Sequence, residues 1–166
     1  AKLVLISKGH ERIVALDQFY TADGIMPHAM ESHELLKEII IPLNNARSAY
    51  KRLAYRSAID YPIVCAGVLL RPSDAQKDQI DEARIVVGAM ARAPLFLAQT
   101  SSSLKGKNLD DTLAFKKAAD ASMDNAATFA VHNVGSTLEY RCEMASLMVF
   151  QALKEAAARA TNNSNG

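Results

Sequence analysis

The chain changes its hydrophobic period once, near Ala93. Before that point apolar and β-branched residues come in short runs broken by turn-forming polar residues, and after it they recur at helical spacing. Strands are expected over 2–7 and 12–16, joined by a Lys8-Gly9-His10 turn whose glycine supplies the unusual dihedral. "LDQFYTADG" reads as a short helical turn capped by Asp17 and ended by Gly24. A strand over 34–41 stops at Pro42, residues 44–47 make a linker, and three more strands are expected over 48–56, 61–71 and 81–91. Then come helices: one from 93 to about 106, one with Asn108 as cap and Asp110 and Asp111 in its first turn, and a long last one opening on a Ser136/Glu139 capping box. That last helix lays Leu138, Cys142, Ala145, Met148 or Val149, and Ala152 or Leu153 along one stripe. Strands followed by helices predict an α+β fold, an antiparallel three-stranded sheet followed by three helices on one face, with 161–166 as a disordered tail.

At 166 residues the chain holds one medium domain, or a small one plus part of another. Its net charge of +1, with both signs interspersed, offers no electrostatic footprint for nucleic acid. The first apolar run is too short for a membrane span or a signal-peptide core. Cys65 and Cys142 lie far apart without a paired-cysteine motif, and read as buried free thiols in a reducing cytoplasm. Since the chain starts directly on an apolar strand with nothing ahead to cover it, the front of the full polypeptide is expected to be missing or to be a separate chain.

Little in the sequence looks like a self-sufficient active site. His10, His28, His33 and His132 sit in loop or turn contexts, and His28 and His33 are five apart, which suits neither a helix face nor a strand face, so surface histidines are expected before metal ligands. Asp110 and Asp111 are explained by a helix start, the glycines are isolated, and Ser101 to Ser103 lack the glycines of a nucleophile elbow. One stretch stands apart. "RLAYRSAIDYPIVCAGVLLRP" places Arg52, Arg56 and Asp60 at the mouth of a strongly apolar run. Either Arg56 and Asp60 form a structural pair bracing a strand entry, with Pro62 marking a bulge or an edge, or these polar residues line a cleft facing another domain, near an anionic ligand or reduced cofactor.

"SAYKRLAYRSAID" followed by "YPIVCAGVLL" resembles the opening of the C-terminal domain of the FAD-binding medium subunit of molybdenum hydroxylases, the xanthine dehydrogenase and carbon monoxide dehydrogenase family. "LDQFYTADG", "ELLKEIIIP", "EARIVVGAMARAPL" and "GSTLEYRCEM" resemble further family segments in the same order, and together they span nearly the whole chain. The "RSAIDYP" spelling is most similar to the β subunit of 4-hydroxybenzoyl-CoA reductase. The resemblance implies that 1–45 is the C-terminal portion of a FAD-binding domain and 46–160 the flavoprotein C-terminal domain, with glycine-rich pyrophosphate loops upstream. It implies FAD as cofactor, with an iron–sulfur small subunit carrying [2Fe-2S] clusters and a large subunit carrying the molybdenum cofactor as partners. It also implies site residues: Leu36 against the flavin ring, and a cation near it that is Arg52 or Lys51 depending on which flanking residue anchors the match, with Arg56 and Asp60 bordering the same cleft. Tyr140 and Arg141 match a helix motif and are read as structural. The rival reading is a scaffold of the same fold that bridges partner subunits without a flavin.

Overall fold

A computed structural model describes residues 1–132 and 135–162, which fall into two compact units divided after Asn44. In the first, β1 (Lys2–Ser7) and β2 (His10–Ala15) pair antiparallel through Ser7 and His10. Lys8 and Gly9 between them both have positive φ, 45° and 83°, the geometry of a two-residue turn matched to strand twist. α1 (Leu16–Phe19) is shorter than expected: Asp17 lies within its first turn rather than at the cap, and it ends well before Gly24. β3 (Leu35–Ile40) pairs with the other side of β1. Val4 faces Glu38 and Leu5 faces Leu36, so Lys37 is the extra residue of a bulge. Leu3, Val4 and Leu5 are consecutive and all buried, whereas every residue of β3 is exposed.

The second unit is a sheet with strand order β4 (Arg47–Leu53), β5 (Val64–Pro72), β6 (Ile80–Gly88) and β7 (Leu95–Phe96), each pair antiparallel. Alternation decides its faces. Ala49, Val64, Ala66, Val68, Leu70, Ala83, Ile85 and Val87 are buried, and with the helices they form one core. Tyr50, Arg52, Cys65, Gly67, Val86, Gly88 and Phe96 alternate with them onto the opposite face. α2 (Ala98–Ser102) is fastened to β6 by the buried Ser101 hydroxyl, which accepts from the Ile85 amide at 2.9 Å and donates to the Leu97 carbonyl at 2.7 Å. α3 (Thr112–Phe129) contributes Phe115, Ala118, Ala119 and Ala126 to the core, and α4 (Leu138–Asn162) contributes Cys142, Ala145, Val149, Ala152 and Leu153. α4 packs against α3, β4 and β5.

The α+β architecture agrees with the sequence pattern, and the differences lie at element ends. β4 stops at Leu53 and β5 starts at Val64, so residues 54–63, expected to be mostly strand, form a loop. The segment from Ala93 is a strand before it is a helix, because Leu95 and Phe96 find unpaired β6 backbone opposite Val87 and Val86; pairing outranks local period there. Asp111, not Asn108, caps α3, accepting from the Ala114 amide at 2.9 Å. Thr137 rather than Ser136 faces the start of α4, its hydroxyl accepting from the Tyr140 amide at 3.2 Å. α4 runs past the alanine-rich stretch 156–160, which favours helix, through 161 and 162 into what was expected to be tail. Residues 163–166 lie outside the described residues. Cys142 is buried as expected, but Cys65 is only partly so, because it projects from the face of the sheet that carries no helix.

Candidate functional site

Two adjacent residues of β4 part company. Lys51 leads toward the helices, where its Nζ makes an ion pair with Glu155 of α4. Glu155 also takes the Arg159 guanidinium at 2.6 Å, and Arg159 in turn donates to the Ser48 carbonyl at 2.7 Å, so the end of α4 is clamped to the edge strand. The cations hold the Glu155 carboxyl below its ordinary pKa, chiefly through the hydrogen bond from Lys51.

Arg52 points the other way. Its guanidinium donates to the carbonyls of Ser57, at 2.9 Å, and Asp60, at 3.2 Å. Arg56 closes the same loop from within: its amide donates to Asp60 Oδ2 at 2.9 Å, its guanidinium reaches that oxygen at 3.8 Å, and it donates to the Ile59 carbonyl at 3.3 Å. The brace between Arg56 and Asp60 is therefore present, and Arg52 is gathered into it. Ile59, between them, sits at φ 50°, an unfavourable conformation for a β-branched side chain, and is almost wholly exposed. The exposed Tyr55 and Tyr61 complete the loop's apolar surface.

Beside Arg52 the open face is low and partly apolar. Arg52 is paired with Cys65 and Tyr50 with Gly67 in the β4–β5 register, while Cys65 faces Gly88 and Gly67 faces Val86 across β5–β6. A Cβ on Gly67 would meet nothing within 4 Å, so the face is open above Gly67 beside its strand partner Tyr50. The Tyr50 phenol hydrogen-bonds the Cys65 sulfur, which with partial burial pushes its pKa up to about 12.

Leu36 belongs to the first unit, where it is 46% exposed on β3. The same unit holds an open groove of about 490 Å³ walled by Lys8, His10, Arg12, Glu31, His33 and Glu34. Arg12 Nε lies 2.5 Å and Nη2 2.7 Å from the two Glu34 oxygens, and His33 Nε2 lies 3.3 Å from a Glu31 oxygen. The hydrogen bond from Arg12, joined by the Glu31 amide, lowers the Glu34 pKa from 4.5 to about 2. His28 stacks on Phe19 with ring centroids 5.4 Å apart. Among the described residues no cluster of three or more His, Cys, Asp or Glu could hold a metal ion, and no helix is long and apolar enough to cross a membrane.

Sequence reasoning missed how the 54–63 loop is fastened. Arg141, near the start of α4, is 1% exposed and donates to three carbonyls: Ile63 at 3.4 Å, Val131 at 2.7 Å, and Ala89. Tyr55 Oη donates to the Gly135 carbonyl. One signal for Arg141 was available, since it adjoins Cys142 on the stripe that turns Leu138, Ala145 and Val149 inward; a charge beside that stripe is a buried one needing partners.

An antiparallel sheet with its described helices on one face and a cation-bearing loop at the edge of the other defines a two-layer α+β domain. The chain belongs to the CO dehydrogenase flavoprotein C-terminal domain family, whose model matches residues 48–156. It is 33% identical over 153 residues to the carbon monoxide dehydrogenase medium chain of Afipia carboxidovorans, an alignment covering 91% of this chain and 50% of that one. The chain thus spans about half the length of this curated relative. Among solved structures, a Cu,Mo-CO dehydrogenase in its cyanide-inactivated form matches with a TM-score of 0.76 and 30% identity, over 95% of this chain and 53% of that one. Quinoline 2-oxidoreductase from Pseudomonas putida 86 matches with a TM-score of 0.80 over 96% of this chain and 53% of that one; at 20% identity it speaks for the fold alone.

Proposed function

We propose that this chain is the C-terminal part of the FAD-binding subunit of a molybdenum-containing hydroxylase or dehydrogenase complex, and that it serves electron transfer between FAD and iron–sulfur clusters. Membership of a flavoprotein family supports the cofactor. The observation carrying the reading within this chain is Arg52, a permanent cation held on the helix-free face, opposite Cys65, by the Ser57 and Asp60 carbonyls. FAD, when bound, supplies redox chemistry that can exchange electrons with one-electron and two-electron partners. Arg52 contributes a fixed positive charge that favours the electron-rich state of a nearby ring. Arg56 and Asp60 keep that charge in place, and the exposed Leu36 offers apolar surface suited to a ring face. Lys51, committed to Glu155, has a structural role.

The partners are an iron–sulfur small subunit and a molybdenum-bearing large subunit, with the substrate read in the latter. The spelling of residues 56–62 supports a complex of the 4-hydroxybenzoyl-CoA reductase type, and the unpaired thiols Cys65 and Cys142 suit the cytoplasm. The test is redox titration of the FAD-loaded complete subunit. Arg52→Ala is expected to lower the flavin midpoint potential and slow electron transfer, while substrate turnover at the molybdenum site with an artificial acceptor stays normal. A complete subunit that retains no flavin, or an unmoved potential, removes Arg52 from the site and favours the scaffold.

A further inference from the structure

We propose that Arg141 and Tyr55 are positioning residues for Arg52: together they pin the 54–63 loop, and the loop in turn fixes where the Arg52 charge sits. The proposal rests on Arg52 being the flavin-side cation, and adds how that cation is held.

Arg52 is on an exposed strand position, and a long side chain there would ordinarily sample many rotamers. Its guanidinium is instead spent on two carbonyls, Ser57 and Asp60, both inside the loop. The position of its charge is therefore the position of the loop. That loop is not held by a core of its own, since Tyr55, Ile59 and Tyr61 are exposed and Ile59 is in a strained conformation. Its base is closed by the Ile63 amide on the Leu53 carbonyl at 2.7 Å. Two fastenings then tie it to the rest of the unit, Arg141 at Ile63 and Tyr55 at Gly135.

Arg141 does more than cap one carbonyl. Burying a guanidinium is costly unless its donors are used, and the hydrogen bonds it makes go to carbonyls at three separate chain turns. Ile63 ends the β4–β5 loop, Ala89 follows β6 with φ 64°, and Val131 follows α3 with its own amide on the Met90 carbonyl at 2.9 Å. A planar fork can serve three such acceptors at once; an ammonium is a compact point donor on a flexible stem. Lysine at 141 would keep the charge and lose this geometry.

The test uses the FAD-loaded complete subunit with Arg141→Lys, Tyr55→Phe, Arg52→Ala and the Arg141→Lys/Arg52→Ala double variant. Flavin midpoint potential and amide hydrogen exchange across residues 53–63 are measured for each. Losing a fastening is expected to speed exchange in the loop roughly tenfold while Ala66 to Leu70 in β5 stay protected. Arg141→Lys should shift the potential in the direction of Arg52→Ala, and the double variant should shift no further than Arg52→Ala alone. An additive double variant, or loop exchange unchanged in Arg141→Lys, overturns the proposal. If Arg141→Lys does not fold, Tyr55→Phe decides, because its exposed ring is retained and only the Gly135 fastening is lost; unchanged loop exchange there overturns it too. If Arg52→Ala leaves the potential unmoved, the assignment of Arg52 to the flavin fails by itself, and the exchange data still determine whether Arg141 and Tyr55 hold the loop.

Discussion

Lys51 and Arg52 are neighbours on β4 that serve opposite faces of one sheet: Lys51 pairs with Glu155 of α4, and Arg52 reaches across the helix-free side to the Ser57 and Asp60 carbonyls. The pleat forces this separation, because successive strand residues point to opposite sides. Only one of two adjacent cations can then influence anything on the open face.

Removing each in turn is expected to give different phenotypes. Lys51→Ala breaks a partly exposed ion pair, so it should cost about 0.2–1 kcal/mol in urea denaturation and leave the flavin potential of the complete subunit unchanged. Arg52→Ala should lower the potential. At about 4 Å and an effective dielectric near 20, one unit charge is worth roughly 4 kcal/mol before solvent compensation, so even a small remaining fraction is measurable. A potential shift in Lys51→Ala alone would reverse the assignment.

Leu36 tests the first unit. It is exposed and apolar on β3, so Leu36→Asp adds a charge without opening a hole in a core. A charge against an apolar ring face is unfavourable, and the complete subunit is expected to lose FAD on desalting while its circular dichroism is retained. Unchanged flavin content would remove Leu36 from the site.

Glu34 makes the chain's response to acid specific. Its folded carboxyl titrates near 2 rather than 4.5 because Arg12 and the Glu31 amide bind the ionised form. A depressed folded value means that this stabilisation is complete above about 4.5 and is lost as pH falls toward about 2. Exchange of the β1 and β2 amides should accelerate across that window, after allowance for intrinsic pH dependence, and Glu34→Gln should abolish the extra acceleration while lowering protection at neutral pH.

The sheet and the helices are legible in the sequence because burial imposes their periods: Val64, Ala66, Val68 and Leu70 alternate inward, and Leu138, Cys142, Ala145 and Val149 trace one helical stripe. The loop between β4 and β5 is not, since Tyr55, Ile59, Tyr61 and Ile63 are all residues that favour strands. What makes them a loop is a set of hydrogen bonds to distant carbonyls, from Tyr55 to Gly135 and from Arg141 to Ile63, over separations of 80 and 78 residues. Arg52, Arg56 and Asp60 stand out as a group by composition alone. That Arg52 would be held by loop carbonyls, and that Arg12 would bury Glu34, depends on long-range partners no local pattern announces.

The last prediction concerns the floor of the open face. Gly88 faces Cys65 in the β5–β6 register, and a Cβ added at Gly88 would lie 2.7 Å from Cys65 Sγ, closer than van der Waals contact permits. Rotating the sulfur away would break its contact with the Tyr50 phenol. Gly88→Ala is therefore expected to destabilise the chain by about 1–3 kcal/mol, the usual cost of overpacking. Replacing the sulfur removes the obstacle. In a Cys65→Ala background, Gly88→Ala should be neutral or slightly stabilising, because alanine restricts the unfolded chain more than glycine does. The double-mutant cycle should accordingly show a favourable coupling of about 1 kcal/mol or more by urea denaturation. Cys65→Ala should also return the Tyr50 phenol from about 12 toward its ordinary 10, as read by NMR titration of labelled tyrosine. Strict additivity in the cycle would mean that the strand shifts bodily to admit the methyl group, and that Gly88 is not what seats Cys65.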